Sequence, residues 1–164
     1  MFEAADIRHL PKPELYEELA RQLDGLLHGE RDTIANLANA SALIFQSLPD
    51  LNWAGFYLMK DGELVLGPFQ GRTACVRIAV GKGVCGAAVA EARTQLVPDV
   101  HAFPGHIACD AASRSELVVP LIVGGEVKGV LDLDSPSPAR FDEVDAQGCE
   151  RFVEVLLRHL DAWR

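Results

Sequence analysis

The sequence predicts an α+β domain: one antiparallel sheet of about five or six strands, with two N-terminal helices and a C-terminal helix packed on it. Three observations carry this prediction. Two pairs of apolar, alternating runs are folded back across Asp61-Gly62 and Gly124-Gly125, the turn chemistry of antiparallel hairpins. Segments with helical spacing precede and follow the strands instead of alternating with them. No repeated strand–helix–strand unit of a parallel sheet appears. The 164 residues, 49% of them hydrophobic, suit one domain with a real core, read here as 1–164: helices over 1–50, then sheet, loops and closing helix over 51–164.

The elements follow in order. Pro11 and Pro13 open a helix whose Leu15, Leu19, Leu23 and Leu26 share a face, and Gly29 ends it. A second helix spans about 32–47, with Ile34, Leu37, Ala38, Leu43 and Ile44 expected inward, and Leu48-Pro49-Asp50 stops it. Strands are expected over 53–59 and 63–66, a loop over 67–72, and a further strand over 74–80. Gly81 and Gly83 break that strand before a short Ala-rich helix at about 84–92, and Gln95-Leu96-Val97 is a brief strand. The second hairpin joins 117–123 to 127–134, and Pro120 within it implies an edge position or a bulge. Asp142 is the expected N-cap of the last helix, with Val144, Phe152, Val155, Leu156 and Leu160 inward.

Fifteen basic against twenty-four acidic residues give a net charge of −9. Nucleic acid and anionic membrane both require a basic face, so neither is an expected partner. The N-terminal residues lack the basic and apolar regions of a signal peptide, and no apolar run approaches a membrane span, so a cytoplasmic location is expected. Structural disulfides are rare there, which leaves the four cysteines as core, metal or redox groups.

The chemistry concentrates in Gly105-His106-Ile107-Ala108-Cys109-Asp110-Ala111-Ala112-Ser113-Arg114-Ser115-Glu116, a polar segment without helical or strand period. Cys109 there is a poor candidate for core filler and a good one for a redox nucleophile. His106 and Arg114 favour its thiolate, whereas Asp110 and Glu116 oppose it. That mixture suits attack of sulfur on a sulfoxide, whose oxygen must be protonated as it leaves, a task for a carboxyl with a raised pKa. Asp132 and Asp134 project to one face of their strand and Leu131 and Leu133 to the other, so the pair can supply a proton or hold an ammonium group; a solvated strand end is the plainer alternative. Cys85 follows two glycines at a helix start, where backbone N–H groups favour a thiolate. Cys75 on its strand reads equally as core or as a working thiol, and Cys149 as a buried inert one.

Two other motifs carry less. Gly81-Lys82-Gly83-Val84-Cys85-Gly86 matches G-x-G-x-x-G, but the helix after it is too short for a dinucleotide fold. His101, His106 and Cys109, with Cys75 or Cys85, lack any familiar zinc spacing, so neither a metal nor another cofactor is expected.

Taken together, Gly67-Pro68-Phe69-Gln70-Gly71, Ala74-Cys75-Val76-Arg77-Ile78, Gly81-Lys82-Gly83-Val84-Cys85-Gly86, Asp99-Val100-His101, 105–113 and Gly129-Val130-Leu131-Asp132-Leu133-Asp134-Ser135 resemble the free methionine-(R)-sulfoxide reductases, single-domain enzymes of the GAF fold. The resemblance runs from about Leu51 to the closing helix. It implies reduction of free L-methionine (R)-sulfoxide, with Cys109 as nucleophile, Cys75 as the resolving thiol that closes a disulfide, and Cys85 as a third thiol able to share in exchange. It implies that Glu116, Asp132 and Asp134 meet the substrate's ammonium group and sulfoxide oxygen, that Trp53 and Tyr57 wall its methyl group, and that thioredoxin restores the thiols. The pocket is expected to be closed by loops 105–113 and 67–72. A non-catalytic GAF-type sensor is the competing expectation, and a homodimer through the first two helices is a further one.

Overall fold

The computed structural model describes residues 1–107 and 110–163. Helices α1 (Lys12–Leu27) and α2 (Thr33–Ser47) precede a hairpin of β1 (Trp53–Lys60) and β2 (Glu63–Gly71). Then come β3 (Arg77–Ala79), α3 (Gly83–Glu91), β4 (Gln95–Val97), a 3-10 turn (Val100–Ala102), β5 (Ser115–Val123), β6 (Glu126–Ser135), α4 (Glu143–Arg158) and a last 3-10 turn (Asp161–Trp163). All strand pairs are antiparallel, in the order β3-β2-β1-β6-β5-β4. The predicted α+β class and six strands are what the chain forms.

Alternation along the central strands separates two apolar cores. Ala54, Phe56 and Leu58 of β1, Leu117, Val119 and Leu121 of β5, and Leu131 and Leu133 of β6 pack beneath α1, α2 and α4. Trp53, Tyr57, Val118 and Val130 point the other way, toward Val84, Cys85 and Ala88 of α3. The first core fixes the sheet; the second surrounds the site.

Both hairpins turn where expected. Asp61 and Gly62 both have positive φ (52° and 83°), the left-handed pair that a two-residue hairpin needs. Helix α4 begins with a reciprocal cap: the Asp142 carboxylate accepts from Asp145 N, and Asp145 accepts from Asp142 N. Asp145, 1% exposed, also takes the Tyr16 hydroxyl at 2.6 Å and Lys12 Nζ at 2.8 Å, so α1 is anchored to the start of α4.

Several expectations need correction. Leu27 joins the buried face of α1, and Leu26 is partly buried against the same core. Ile34 and Ala38 are exposed, and α2 instead buries Asn36, Ala40 and Ser41 beside Leu37, Leu43 and Ile44. Val144 is exposed in the first turn of α4. Residues 67–71, expected as a loop, extend β2; a bulge between the Gly55 and Tyr57 pairings accommodates Pro68. Conversely the strand expected over 74–80 shrinks to Arg77–Ala79, where Ile78 alone is buried. Pro120 meets its expectation: on the β4 side the ladder has already ended opposite Val118, and the pairing with β6 shifts register just after it, between Leu121 and Ile122.

Candidate functional site

The pocket lies on the α3 side of the sheet, and strand register assembles its floor. Trp53, Asp134 and Glu116 form one cross-strand row over β1, β6 and β5; Gly55, Asp132 and Val118 form the next. Gly55 lets β2 pack closely against β1, since a Cβ there would run into Phe69 and the Pro68 carbonyl. Trp53, Tyr57, Cys85, Glu116, Asp132 and Asp134 therefore line a single pocket. Its walls are Thr73 and Ala74, the start of α3 from Lys82 to Cys85, and His106, Ile107, Asp110 and Ser113. The loop expectation is half corrected: His106, Ile107, Asp110 and Ser113 do border the pocket, whereas 67–71 is strand and Thr73 and Ala74 after it take its place.

The carboxylates dominate the electrostatics. Glu116 and Asp132 are buried and Asp134 is partly buried, and the ion pairs among the described residues lie elsewhere. Burial, followed by repulsion from Asp132, holds the Glu116 and Asp134 carboxyls well above the usual carboxylate range. Burial also raises Asp132, against hydrogen bonding from Glu116 and Cys85. Asp132 Oδ1 has no protein partner. Three acids in contact titrate as a unit and hold protons at pH values where exposed carboxyls have lost theirs.

Cys85 is 4% exposed, and its Sγ lies 4.0 Å from Glu116 Oε2. Its position at the start of α3 is as expected, but its ionisation is not. Burial first, then the charges of Asp132, Glu116 and Asp134, push the thiol well above its ordinary pKa and override the helix terminus. Cys85 is therefore a thiol here, not a thiolate. Cys149 is buried and inert on α4, as expected.

Cys75 sits on the unstructured stretch between β2 and β3 and is disulfide-bonded, while Cys85 and Cys149 are free. Two aromatic donors pin this stretch: Trp53 Nε1 donates to Arg72 O at 3.1 Å and Tyr57 Oη donates to Cys75 O at 2.9 Å. Phe69 stacks on Trp53 with ring centroids 5.1 Å apart, completing an aromatic wall with Tyr57. Cys109 lies outside the described residues. Its neighbour Asp110 accepts from Asn52 Nδ2 at 3.0 Å, and Asn52 also reaches Ser113 Oγ at 3.1 Å. Asn52, whose backbone N–H bonds Asp134 O, ties the Cys109 segment to the acidic strand; nothing in its sequence surroundings marks that role. Of the residues weighed for zinc from sequence, His101 and His106 meet edge to face with ring centroids 6.2 Å apart, and His106 alone of the two reaches the pocket.

A six-stranded sheet with helices on one face and a ligand pocket under a short helix on the other is the layout of a GAF domain, and the GAF domain family model matches residues 34–156. Among curated proteins, the chain is 56% identical to protein YtsP of Bacillus subtilis over 91% of its own length and 93% of that protein's. It is 55% identical to free methionine-R-sulfoxide reductase of Escherichia coli, covering 88% of each. A solved structure of free methionine-R-sulfoxide reductase from Neisseria meningitidis in complex with its substrate superposes with a TM-score of 0.89 at 44% identity, over all of this chain and 96% of that one. The chain belongs to the free methionine-R-sulfoxide reductase family of GAF-domain proteins. Among the described residues no helix is long and apolar enough to cross a membrane.

Proposed function

We propose that this protein reduces free L-methionine (R)-sulfoxide to methionine, with Cys109 as nucleophile and Cys75 as resolving thiol. The observation that carries the reading is the convergence of Glu116, Asp132 and Asp134 in one pocket, none of them in an ion pair among the described residues, beside the aromatic wall and the Cys75 stretch. Such a pocket suits a ligand that brings its own positive charge and a basic oxygen. A free amino acid sulfoxide brings both.

The ammonium group would sit against the acids, where Asp132 Oδ1 waits for a donor. The methyl group would lie against Trp53 and Tyr57. The Cys109 thiolate attacks the sulfoxide sulfur, and a protonated carboxyl of the cluster gives its proton to the oxygen, which develops negative charge. Oxygen passes to the cysteine as a sulfenic acid while methionine leaves; sulfur in the substrate is reduced and the thiol oxidised. The Cys75 thiol then attacks the sulfenic sulfur, expelling water and forming a disulfide. Thioredoxin, as dithiol, reopens it by exchange. Cys85, held protonated by the acids, contributes to the pocket before it contributes to exchange. A reducing cytoplasm fits this use of thiols, and two copies pairing through α1 and α2 would leave the pocket side of the sheet open.

The test mixes the protein with racemic free methionine sulfoxide, thioredoxin, thioredoxin reductase and NADPH. NADPH oxidation should stop when about half the racemate is consumed, since one epimer reacts. Cys109→Ser should lose even single turnover. Cys75→Ser should release one methionine per chain and then stall. Complete recycling by Cys75→Ser would transfer the resolving role to Cys85, and no sulfoxide consumption by the wild type would reject the enzyme in favour of a sensor.

A further inference from the structure

We propose that the same pocket binds one zinc ion, held by Cys85 Sγ, a Glu116 oxygen and an Asp132 oxygen, and that the ion and the substrate exclude each other. The exclusion rests on the substrate reading above; the metal site does not.

The three ligand atoms belong to three rigid elements, the first turn of α3, β5 and β6, and all lie within 4.8 Å of one another. Tetrahedral zinc with bonds of roughly 2.3 Å to sulfur and 2.0 Å to oxygen requires sulfur and oxygen about 3.5 Å apart. Cys85 Sγ and Glu116 Oε2 are 4.0 Å apart, so this pair needs to close by about 0.5 Å to share the ion. All three side chains are more than nine-tenths buried; Asp132 is hydrogen-bonded by the other two groups of the set, and its Oδ1 keeps no partner of its own. A buried oxygen in that state points to something that binds there. One sulfur and two oxygens, with the pocket open on the fourth side, suit zinc rather than magnesium, which demands six oxygens in an octahedron. Binding expels the Cys85 proton together with any proton held by the Glu116 and Asp132 carboxyls, and places two positive charges among acids that otherwise face one another. The substrate's ammonium group would occupy the same space, hence the competition.

The experiment uses the reduced, chelator-treated full chain. Zinc is titrated against a chromogenic chelator, and cobalt(II) is added separately to look for sulfur-to-metal charge transfer in the near ultraviolet. One ion per chain is expected. Cys85→Ser and Asp132→Asn should each weaken zinc by about tenfold or more, the scale on which disturbed metal sites lose affinity. Cys85→Ser should also lose the cobalt band, whereas Cys109→Ser and Cys75→Ser should keep it; circular dichroism verifies that each variant is folded. Free methionine sulfoxide should raise the apparent zinc dissociation constant in proportion to its concentration. No binding with zinc in large excess over protein, or binding that survives Cys85→Ser and disappears in Cys109→Ser, overturns the site. Zinc binding through Cys85 that ignores saturating sulfoxide overturns the exclusion. A chain that reduces no sulfoxide but binds zinc through Cys85 upholds the metal site and rejects only the enzymatic reading.

Discussion

Glu116 on β5 and Asp134 on β6 are cross-strand partners, and Asp134 in turn faces Trp53 on β1. Like charges in direct register normally weaken a sheet. Here the pair is kept on a surface that the chain screens from water, with Asp132 two residues away on the same face. That arrangement lowers the stability of the ligand-free protein and gives a cationic ligand something to relieve.

The consequence for pH follows from the raised carboxyls. Below about pH 4 these acids are protonated in folded and unfolded chains alike. As pH rises, the unfolded chain releases protons that the folded cluster retains, so stability falls through the raised folded values. Glu116→Gln should therefore raise the melting temperature of the ligand-free protein more at pH 8 than at pH 5, while turnover falls. Calorimetry at the two pH values checks this; an equal shift at both would remove the cluster as its cause.

Asp142 behaves in the opposite sense. The backbone N–H of Asp145 and the Lys12 ammonium hold its carboxyl at about 2, below the ordinary value. Its contribution is present above the unfolded value and lost as pH falls toward 2. Asp142→Ala should cost about 1 kcal/mol, the usual worth of an N-cap, seen in urea unfolding at pH 7 and shrinking between pH 4 and 2. Sulfoxide turnover per folded molecule should match wild type, since Asp142 caps α4 on the far face of the sheet.

Tyr57→Phe keeps the ring and removes one hydrogen bond, to the carbonyl of Cys75. A hydrogen bond of this kind contributes about 0.5–1.5 kcal/mol, or roughly two- to tenfold in a rate that depends on it. Disulfide closure should slow by that factor relative to release of the first methionine. Quenched-flow trapping of the sulfenic acid should therefore show it persisting longer. Equal slowing of both steps would make Tyr57 a general pocket residue and not a clamp on Cys75.

Gly86 follows Cys85 in the first turn of α3, and a Cβ there would lie 2.6 Å from Ala79 O and 3.0 Å from Gly81 N. These backbone atoms cannot yield as a side-chain tip would. Gly86→Ala should displace the start of α3, cost about 1–3 kcal/mol and reduce sulfoxide turnover sharply. Thermal unfolding and steady-state rates on the same sample check both.

Much of this was legible because hairpin chemistry and strand period are local. Asp61-Gly62 and Gly124-Gly125 mark both turns, and the i, i+2 spacing of Asp132 and Asp134 fixes their common face. What escaped depends on partners. Gly67 and Pro68 read as a loop because a strand containing both is tolerable only with the bulge against β1. Ile34 and Ala38 looked buried because helical spacing identifies a stripe but not which neighbour covers it. Cys85 looked like a thiolate because its helix is nearby in sequence and its three acids are not. The Cys85, Glu116 and Asp132 cluster has no ligand spacing at all, being assembled by sheet order.

Strand alternation also governs how this family can change. Along β6 the order runs Leu131, Asp132, Leu133, Asp134, with leucines in one core and acids in the pocket. Adding or deleting one residue there would send leucines into the pocket and carboxylates under the helices, ruining recognition and folding together. The pocket is therefore open to revision by substitution and closed to revision by length. Inherited insertions in relatives should gather in connections such as Asp61-Gly62 and Gly124-Gly125, with the pairing strands kept at constant length.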